Sequence, residues 1–363
     1  MYGELYTTYD EVTYEIKRKT DKVVSETYYS KIGDVIIPTS GETPEEIATA
    51  TCVMLPGVIL AGDLNIYRTN IIDGRIVSFI INHVINNKIS KVAQGKSVVH
   101  VKAEEIGKIS INYPNAKEQK KILSFLELLD KKIDKQKQLV ESLKSYKRGA
   151  LSKLFPQNGE TTPQYRFAGF TDVWEQYKLG DIGETYTGLS GKTKEDFGHG
   201  NAKFVTYLNV FSNPIADSTM TEAVEIDKKQ NGVKYGDIFF TTSSETPDEV
   251  GMSSVWLENS DNTYLNSFCF GYRLNTEINR FYIAYMLRSE TVRKNIIFLA
   301  QGISRYNISK NKMMEISIPF PTLDEQQKIG DYFLNLDRLI TLHQRKLNEF
   351  ETVKAGLLQQ LFI

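Results

Sequence analysis

The polar side chains of this sequence gather in short loops that offer hydrogen-bond donors rather than a set of reacting groups. Gln301-Gly302-Ile303-Ser304-Arg305-Tyr306-Asn307 places an amide, a hydroxyl, a guanidinium and a phenol within seven residues. Thr187-Gly188-Leu189-Ser190-Gly191-Lys192-Thr193-Lys194 adds glycine freedom, hydroxyls and two amines. Gln94-Gly95-Lys96-Ser97 is a shorter form of the first loop, and Thr39-Ser40-Gly41 and Thr242-Ser243-Ser244 each follow an apolar run. Asn65, Tyr67, Arg68 and Asn70 form a further polar-aromatic cluster. Amines, hydroxyls and backbone N–H groups grip phosphates, whereas guanidinium and amide groups read base edges. The candidate contact residues are therefore Ser40, Gly41, Arg68, Gln94, Gly95, Lys96, Ser190, Lys192, Lys194, Ser243, Ser244, Gln301, Gly302, Ser304, Arg305 and Tyr306.

Covalent chemistry has no matching set. The four histidines, His83, His100, His199 and His343, are scattered and lack ligand spacing. Cys52 and Cys269 make neither a disulfide framework nor a thiolate metal set, and read as buried thiols. No phosphate-cradling Gly-x-x-x-x-Gly-Lys-Ser/Thr loop is present. An amino-methyltransferase needs Asn/Asp-Pro-Pro-aromatic, and the nearest string, Asn213-Pro214-Ile215, lacks the second proline and the ring. No cofactor or metal is expected.

The elements that must carry these loops come in duplicate. Eight of 14 positions from Gly33 to Glu46 are identical to Gly236–Glu249, 203 residues later. Ala93-Gln94-Gly95 recurs as Ala300-Gln301-Gly302, and 12 of 38 positions from Glu118 to Phe155 recur at an offset of 207. Each copy opens with short strand-like runs: Val35-Ile36-Ile37 and Ile238-Phe239-Phe240, then Val58-Ile59-Leu60 and Ser267-Phe268-Cys269-Phe270. A helical stretch from Arg280 to Leu299 follows in the second copy, and a late strand at Ile109-Ser110-Ile111 or Ile316-Ser317-Ile318 ends each domain. Each copy closes on a long helix. Ile122, Leu126, Leu129, Ile133, Gln136, Val140, Leu143, Lys147, Ala150 and Leu154 alternate spacings of four and three, and Ile329 to Leu361 repeats the register. Eight of ten positions are apolar in both, with polar breaks at Gln136 and Lys147 and again at His343 and Lys354. A seam of period 3.5 over five heptads predicts a coiled coil, and two matching seams predict mutual pairing.

Composition bounds the rest. A chain of 363 residues exceeds one ordinary core, and 41% apolar with 25% charged residues is a globular composition. Net charge is −1, so no general basicity announces a nucleic-acid partner. Residues 117–153, with 11 basic and five acidic residues, are the one basic segment. The outer lysines there, Lys131, Lys132, Lys135 and Lys137, read first as a solvated helix face. No apolar run approaches the roughly 20 residues of a membrane helix. A cytoplasmic protein is expected.

Two variable domains, each followed by a long helix opened by Glu-Gln-x-Lys-Ile (Glu118–Ile122 and Glu325–Ile329), resemble the specificity subunit of a type I restriction–modification enzyme. Trp174-Glu175-Gln176-Tyr177-Lys178-Leu179-Gly180-Asp181-Ile182 resembles the start of a target-recognition domain of that family, and Tyr2-Gly3-Glu4-Leu5-Tyr6-Thr7-Thr8-Tyr9 a segment inside one. The resemblance covers nearly the whole chain, and one departure stands out. Gly236 follows Trp174 by 62 residues, while Gly33 follows Met1 by 32, so about 30 residues at the front of the first domain have no counterpart.

The fold class expected is α+β (mixed α/β): two repeated DNA target-recognition domains, each with its long helix, the helices paired as an antiparallel coiled coil. The divisions are 1–116, an N-terminally incomplete first recognition domain; 117–155, its helical spacer; 156–173, a linker; 174–323, the second recognition domain; and 324–363, its spacer. The resemblance implies a non-catalytic subunit that binds double-stranded DNA with a bipartite target, one domain per half-site. Its implied partners are methyltransferase (modification) subunits and, through that methyltransferase core, restriction/translocase subunits; no membrane is involved. The competing expectations are a coiled-coil scaffold that binds proteins, and a specificity fragment inactive on its own.

Overall fold

The computed structural model describes all residues except 1–4, 6, 7, 22, 26–28, 61, 96, 97, 158 and 363. Most of the segment from Tyr2 to Tyr9 quoted above therefore lies outside the described residues. The chain forms two compact units, residues 139–343 and residues 1–138 together with 344–363.

In the unit 139–343 the central sheet runs in the order Ser253–Val255, Ile238–Thr241, Cys269–Leu274, Gly183–Thr187, each pair antiparallel. Alternation in the buried strand feeds two cores. Ile238 and Phe240 face a large cluster with Trp174, Tyr282 and Phe333, while Phe239 faces Val205, Val210, Trp256 and Leu265. A second sheet, Thr221–Val224, Phe197–Val205 and Thr263–Leu265, lies beside it in sequence and holds the loop from Ser190 onward. The helical stretch expected from Arg280 to Leu299 is two helices, Arg280–Met286 and Glu290–Phe298, because Ser289 adopts an extended backbone and starts the second afresh. Between them Arg288 is half-buried and donates to the carbonyls of Ser253, Val210, Phe211 and Asn213 at 2.7–3.0 Å. Burial pushes its guanidinium below the usual range.

The unit holding the N-terminus repeats this plan in reduced form. Its sheet runs Val12–Thr13, Thr51–Val53, Asp34–Pro38, Leu64–Tyr67. Val35 pairs with Tyr67 as Ile238 pairs with Tyr272, so the register survives the duplication. Val12–Thr13 joins in parallel, at the place where Ile215 bridges Val255 in the other unit. The runs Val58-Ile59-Leu60 and Ile109-Ser110-Ile111 are not strands; Ile59 makes a single bridge to Tyr29. In the second copy Ser267 and Phe268 form a turn, since the Asn266 side chain accepts from the Phe268 N–H, and the strand starts at Cys269.

The long helices are continuous, Ala116–Leu154 and Leu323–Gln360, and each contributes to both units. In the N-terminal unit Leu129 and Ile133 pack with Leu347, Asp130 pairs with Lys354 at 2.9 Å, and Lys137 pairs with Glu351 at 3.0 Å, so the two segments run antiparallel. In the unit 139–343 Lys147 pairs with Asp337 at 2.5 Å and Phe155 stacks on Phe333, again antiparallel. The polar breaks at Lys147 and Lys354 are thus ion-paired, at equivalent places. Burial opposes the charge of Lys354, and the Asp130 carboxylate more than restores it. The expected linker 156–173 is pinned rather than free: Arg166 forks onto Glu325 at 2.8 and 2.6 Å.

The Glu-Gln that opens each long helix has a physical role. The Gln119 amide accepts from the Asp73 N–H and donates to the Pro114 carbonyl; Gln326 does the same for Asn279 and Pro321, at 3.0 and 2.9 Å. Both are buried, and each ties the start of the long helix to the N-terminus of a domain helix. Gln326→Met should lower stability by about 2–4 kcal/mol, since each buried group left unpaired costs roughly 1–3 kcal/mol. Chemical denaturation checks this; a change under half a kcal/mol, approximately the size of an ordinary surface substitution, would mean the amide does not hold the junction.

Candidate nucleic-acid interface

Strand direction decides where the polar loops emerge. In the unit 139–343, Ile238–Thr241 and Gly183–Thr187 end, and Cys269–Leu274 begins, at one edge of the sheet. Ser243–Ser244 continues past that edge and pairs with Tyr306–Asn307; Gln301 bridges the other side of Asn307. Two loops 57 residues apart in sequence, at Ser244 and Gln301, are thereby joined through Asn307. Gly302 at φ +149° turns the chain so tightly that a Cβ would stand 2.0 Å from the Arg305 carbonyl oxygen. The hairpin tip is exposed, and Arg305 lies over the Phe268 ring at 5.5 Å while donating to the Ser243 hydroxyl at 3.2 Å. Tyr207 donates to the Ser243 carbonyl, and Ser244 to Glu249. Gly188 reaches the same edge, against the Asn266 carbonyl. The arrangement presents a guanidinium, an aromatic face, hydroxyls and backbone groups together, which suits contacts to bases and phosphates.

The N-terminal unit builds the same edge. Ser40–Gly41 pairs with Val99–His100, and Gln94 bridges His100 as Gln301 bridges Asn307. Gly95 at φ +142° repeats the tight turn, its Cβ direction ending 1.9 Å from the Val98 carbonyl oxygen. Lys96 and Ser97 lie outside the described residues.

Two expected contact residues are placed differently. Arg68 follows the far end of Leu64–Tyr67 and forks onto buried Asp34 at 2.6 and 2.5 Å, at the opposite end of the sheet from Ser40 and Gln94. Its counterpart is Arg273, which forks onto Asp237 at 2.8 and 2.6 Å. The pair anchors the start of the central strand in both units: Asp34 is its first residue, and Asp237 immediately precedes Ile238. Lys192 is turned inward, 3.0 Å from Asp227. Backbone donation from Lys229, the Gln230 amide and Lys192 hold the Asp227 carboxyl down to about 2. Lys194 is exposed, and Ser190 is fixed by the Gln230 amide on both its N–H and carbonyl. Sequence reading missed Phe268, Tyr207 and the central partners His100 and Asn307. Their signal was weak: Phe268 stood inside an apparent strand, and His100 and Asn307 differ between copies.

No group of three or more His, Cys, Asp or Glu able to hold a metal occurs among the described residues. No helix among them is long and apolar enough to cross a membrane.

Two matched edges on two matched sheets point to a duplicated recognition module, and family comparison agrees. The profile of the type I restriction–modification DNA specificity domain matches residues 8–145 and again 171–352. The chain belongs to that family. A relative, the putative type I restriction enzyme MjaX specificity subunit of Methanocaldococcus jannaschii, is 22% identical over 315 residues, covering 80% of this chain and 68% of that one. Among solved structures, one from a study of complex assembly and conformational transition of the type I restriction–modification system superposes with a TM-score of 0.60 at 18% identity, covering 92% of this chain and 82% of the other. The type I restriction–modification S subunit from M. genitalium gives a TM-score of 0.54 at 15% identity, covering 99% and 91%. The fold of this specificity-domain chain is thus that of its family.

The glycine turns provide a direct test of the edge. Gly302→Ala forces a Cβ into a carbonyl at a backbone angle that disfavours it, so the hairpin must re-form. Because that hairpin is exposed, the melting temperature should fall by only a few degrees, about what 1 kcal/mol costs. DNA affinity in a filter-binding assay should fall at least about tenfold if the tip carries contacts worth roughly 1–3 kcal/mol. Unchanged affinity would remove the hairpin from the interface.

Proposed function

We propose that this chain is the sequence-reading subunit of a type I restriction–modification complex, in which each unit reads one half of a bipartite double-stranded DNA target. The observation that carries this is the matched edge: Ser40–Gly41 with Gln94–Gly95 in one unit, Ser243–Ser244 with Gln301–Tyr306 in the other, at the same end of equivalent sheets. Ser40, Gly41, Gln94, Gly95, Lys96, Ser190, Lys194, Ser243, Ser244, Gln301, Gly302, Ser304, Arg305 and Tyr306 supply the contacts; Arg68 instead holds Asp34 at the opposite end of its sheet, and Lys192 holds Asp227 beside the Ser190 loop. The long helices act as an antiparallel coiled-coil spacer between half-sites. Methyltransferase subunits dock on the chain and bring motor-nuclease subunits with them, and the chain itself carries no reacting groups. It works in the cytoplasm.

Arg305 is the sharpest probe. With its methyltransferase partner present, Arg305→Ala should relax one position of one half-site, a loss of roughly 1–3 kcal/mol, and leave the other half-site untouched. Methylation-site mapping reads this out. An equal loss on every sequence would make Arg305 a phosphate contact, and no loss would remove it from the site.

Spacing tests the helices. A helix of 39 residues is roughly 58 Å long at about 1.5 Å per residue. One heptad added to both long helices keeps the seam in register and lengthens it by roughly 10 Å, about three base pairs. The mapped half-sites should keep their sequence and move apart. An unchanged spacer at full activity would show that the helices do not set it.

A further inference from the structure

The most exposed large apolar side chain among the described residues is Ile303, at 95%. It stands at the tip of the hairpin that runs from Gln301 to Asn307, between Gly302 and Ser304. A lone surface aliphatic is ordinary, but this one sits on a braced tip. At its base Gln301 and Asn307 exchange both backbone hydrogen bonds, at 2.9 and 2.8 Å. Gly302 closes the turn onto the Arg305 carbonyl. Tyr306 pairs with Ser244, and the Arg305 guanidinium lies over the Phe268 ring and donates to the Ser243 hydroxyl. Isoleucine is also β-branched, so its first side-chain torsion is stiff. The fold therefore holds an aliphatic group outward, on a narrow and rigid support.

The repeat indicates what meets it. The same three-residue tip recurs with its ends exchanged: Ile303-Ser304-Arg305 in the second copy, Lys96-Ser97-Val98 in the first. Each tip carries one aliphatic group and one cation about a central serine. An apolar protein surface would reject Lys96, and an ionic one would leave Ile303 without a contact. A DNA duplex offers both contacts close together, charged phosphates along its edge and apolar base faces stacked inside. Proteins that deform DNA drive Ile, Leu, Phe, Met or Pro side chains between base steps. Unstacking a step is costly, so such a wedge must be rigid, and the bracing of this tip meets that condition.

We propose that Ile303 is an apolar wedge that enters a base step of the half-site read by the unit 139–343, beside the contacts of Ser304 and Arg305. Its selectivity comes from how easily that step unstacks, so a pyrimidine–purine step is favoured at a place where no base edge need be touched. The wedge deepens the sequence-reading function proposed above and rests on it.

The test uses the full chain in complex with its methyltransferase partner, on duplexes carrying the mapped target. 2-Aminopurine for adenine, or pyrrolocytosine for cytosine, is placed at each base pair in turn, except at the base the methyltransferase itself flips. Both probes brighten when unstacked. One step in the half-site of the unit 139–343 should brighten on binding. Ile303→Ala should abolish that signal, weaken binding about tenfold, roughly 1.4 kcal/mol, and remove the preference for a pyrimidine–purine step from the methylation map. Ile303→Met should keep the signal, since a long apolar side chain still inserts. Ile303→Lys, which places the first copy's residue at this tip, should keep binding and lose the signal. A signal unchanged in Ile303→Ala, or none in a complex that methylates its target, would overturn the wedge and leave the sequence-reading function standing. A tenfold loss reproduced by replacing one thymine with deoxyuridine, without brightening, would make Ile303 a methyl contact and overturn the wedge. No methylation of any duplex would sink the sequence-reading function, and the wedge with it.

Discussion

The core of each unit is closed by the end of a helix that begins in the other. Leu358, in the last turn of the second long helix, and Phe362, just past it, are buried with Val35, Ile76 and Phe79, and Phe362 stacks on Phe79 at 6.0 Å. Phe155, just past the first long helix, sits between Tyr282 and Phe333. Burial of a phenylalanine is worth roughly 2–3 kcal/mol, and emptying its site costs roughly 3–5. Neither recognition sheet therefore has a complete apolar face until both helices are in place. The N-terminal unit waits for residues more than 200 positions downstream, an unusually non-local closure for a domain of its size. The paired helices and the buried glutamines that start them serve this one requirement.

How much of this stood in the sequence depends on the kind of signal. Period and repetition were strong. The 3.5-residue seam gave both long helices, and its polar interruptions at Lys147 and Lys354 mark two of the cross-helix ion pairs. The repeat also gave the loop edges, because Gln94-Gly95 and Gln301-Gly302 recur with the glycines their backbone angles demand. What stayed hidden was choice of partner. Nothing local distinguishes Arg68, forked onto a buried aspartate, from Arg305, stacked at an exposed tip. Only the position of Asp34 across the sheet does so. Lys192 was hidden for the same reason, since Asp227 arrives from 35 residues away. The strand expected at Ile109–Ile111 failed differently: the residues suit a strand, but a strand needs a neighbour, and among the described residues none is there.

The near-neutral charge also has a structural reading. Arg68, Arg166, Arg273, Lys147, Lys192 and Lys354 all face carboxylates inside the fold. Among the described residues of the proposed loop edges, Lys194 and Arg305 are cations that stay exposed.

Two of the cross-helix ion pairs are the same pair made twice. Lys147 meets Asp337 and Lys354 meets Asp130, and Lys147 and Lys354, like Asp130 and Asp337, hold equivalent positions in the repeats. Each repeat therefore carries one lysine plug and one aspartate socket, and is complementary to itself. A gene assembled from halves of different ancestry keeps a matched frame as long as each half retains both residues. The joint between the long helices is thus set by two residues in each repeat, whatever loops that repeat carries.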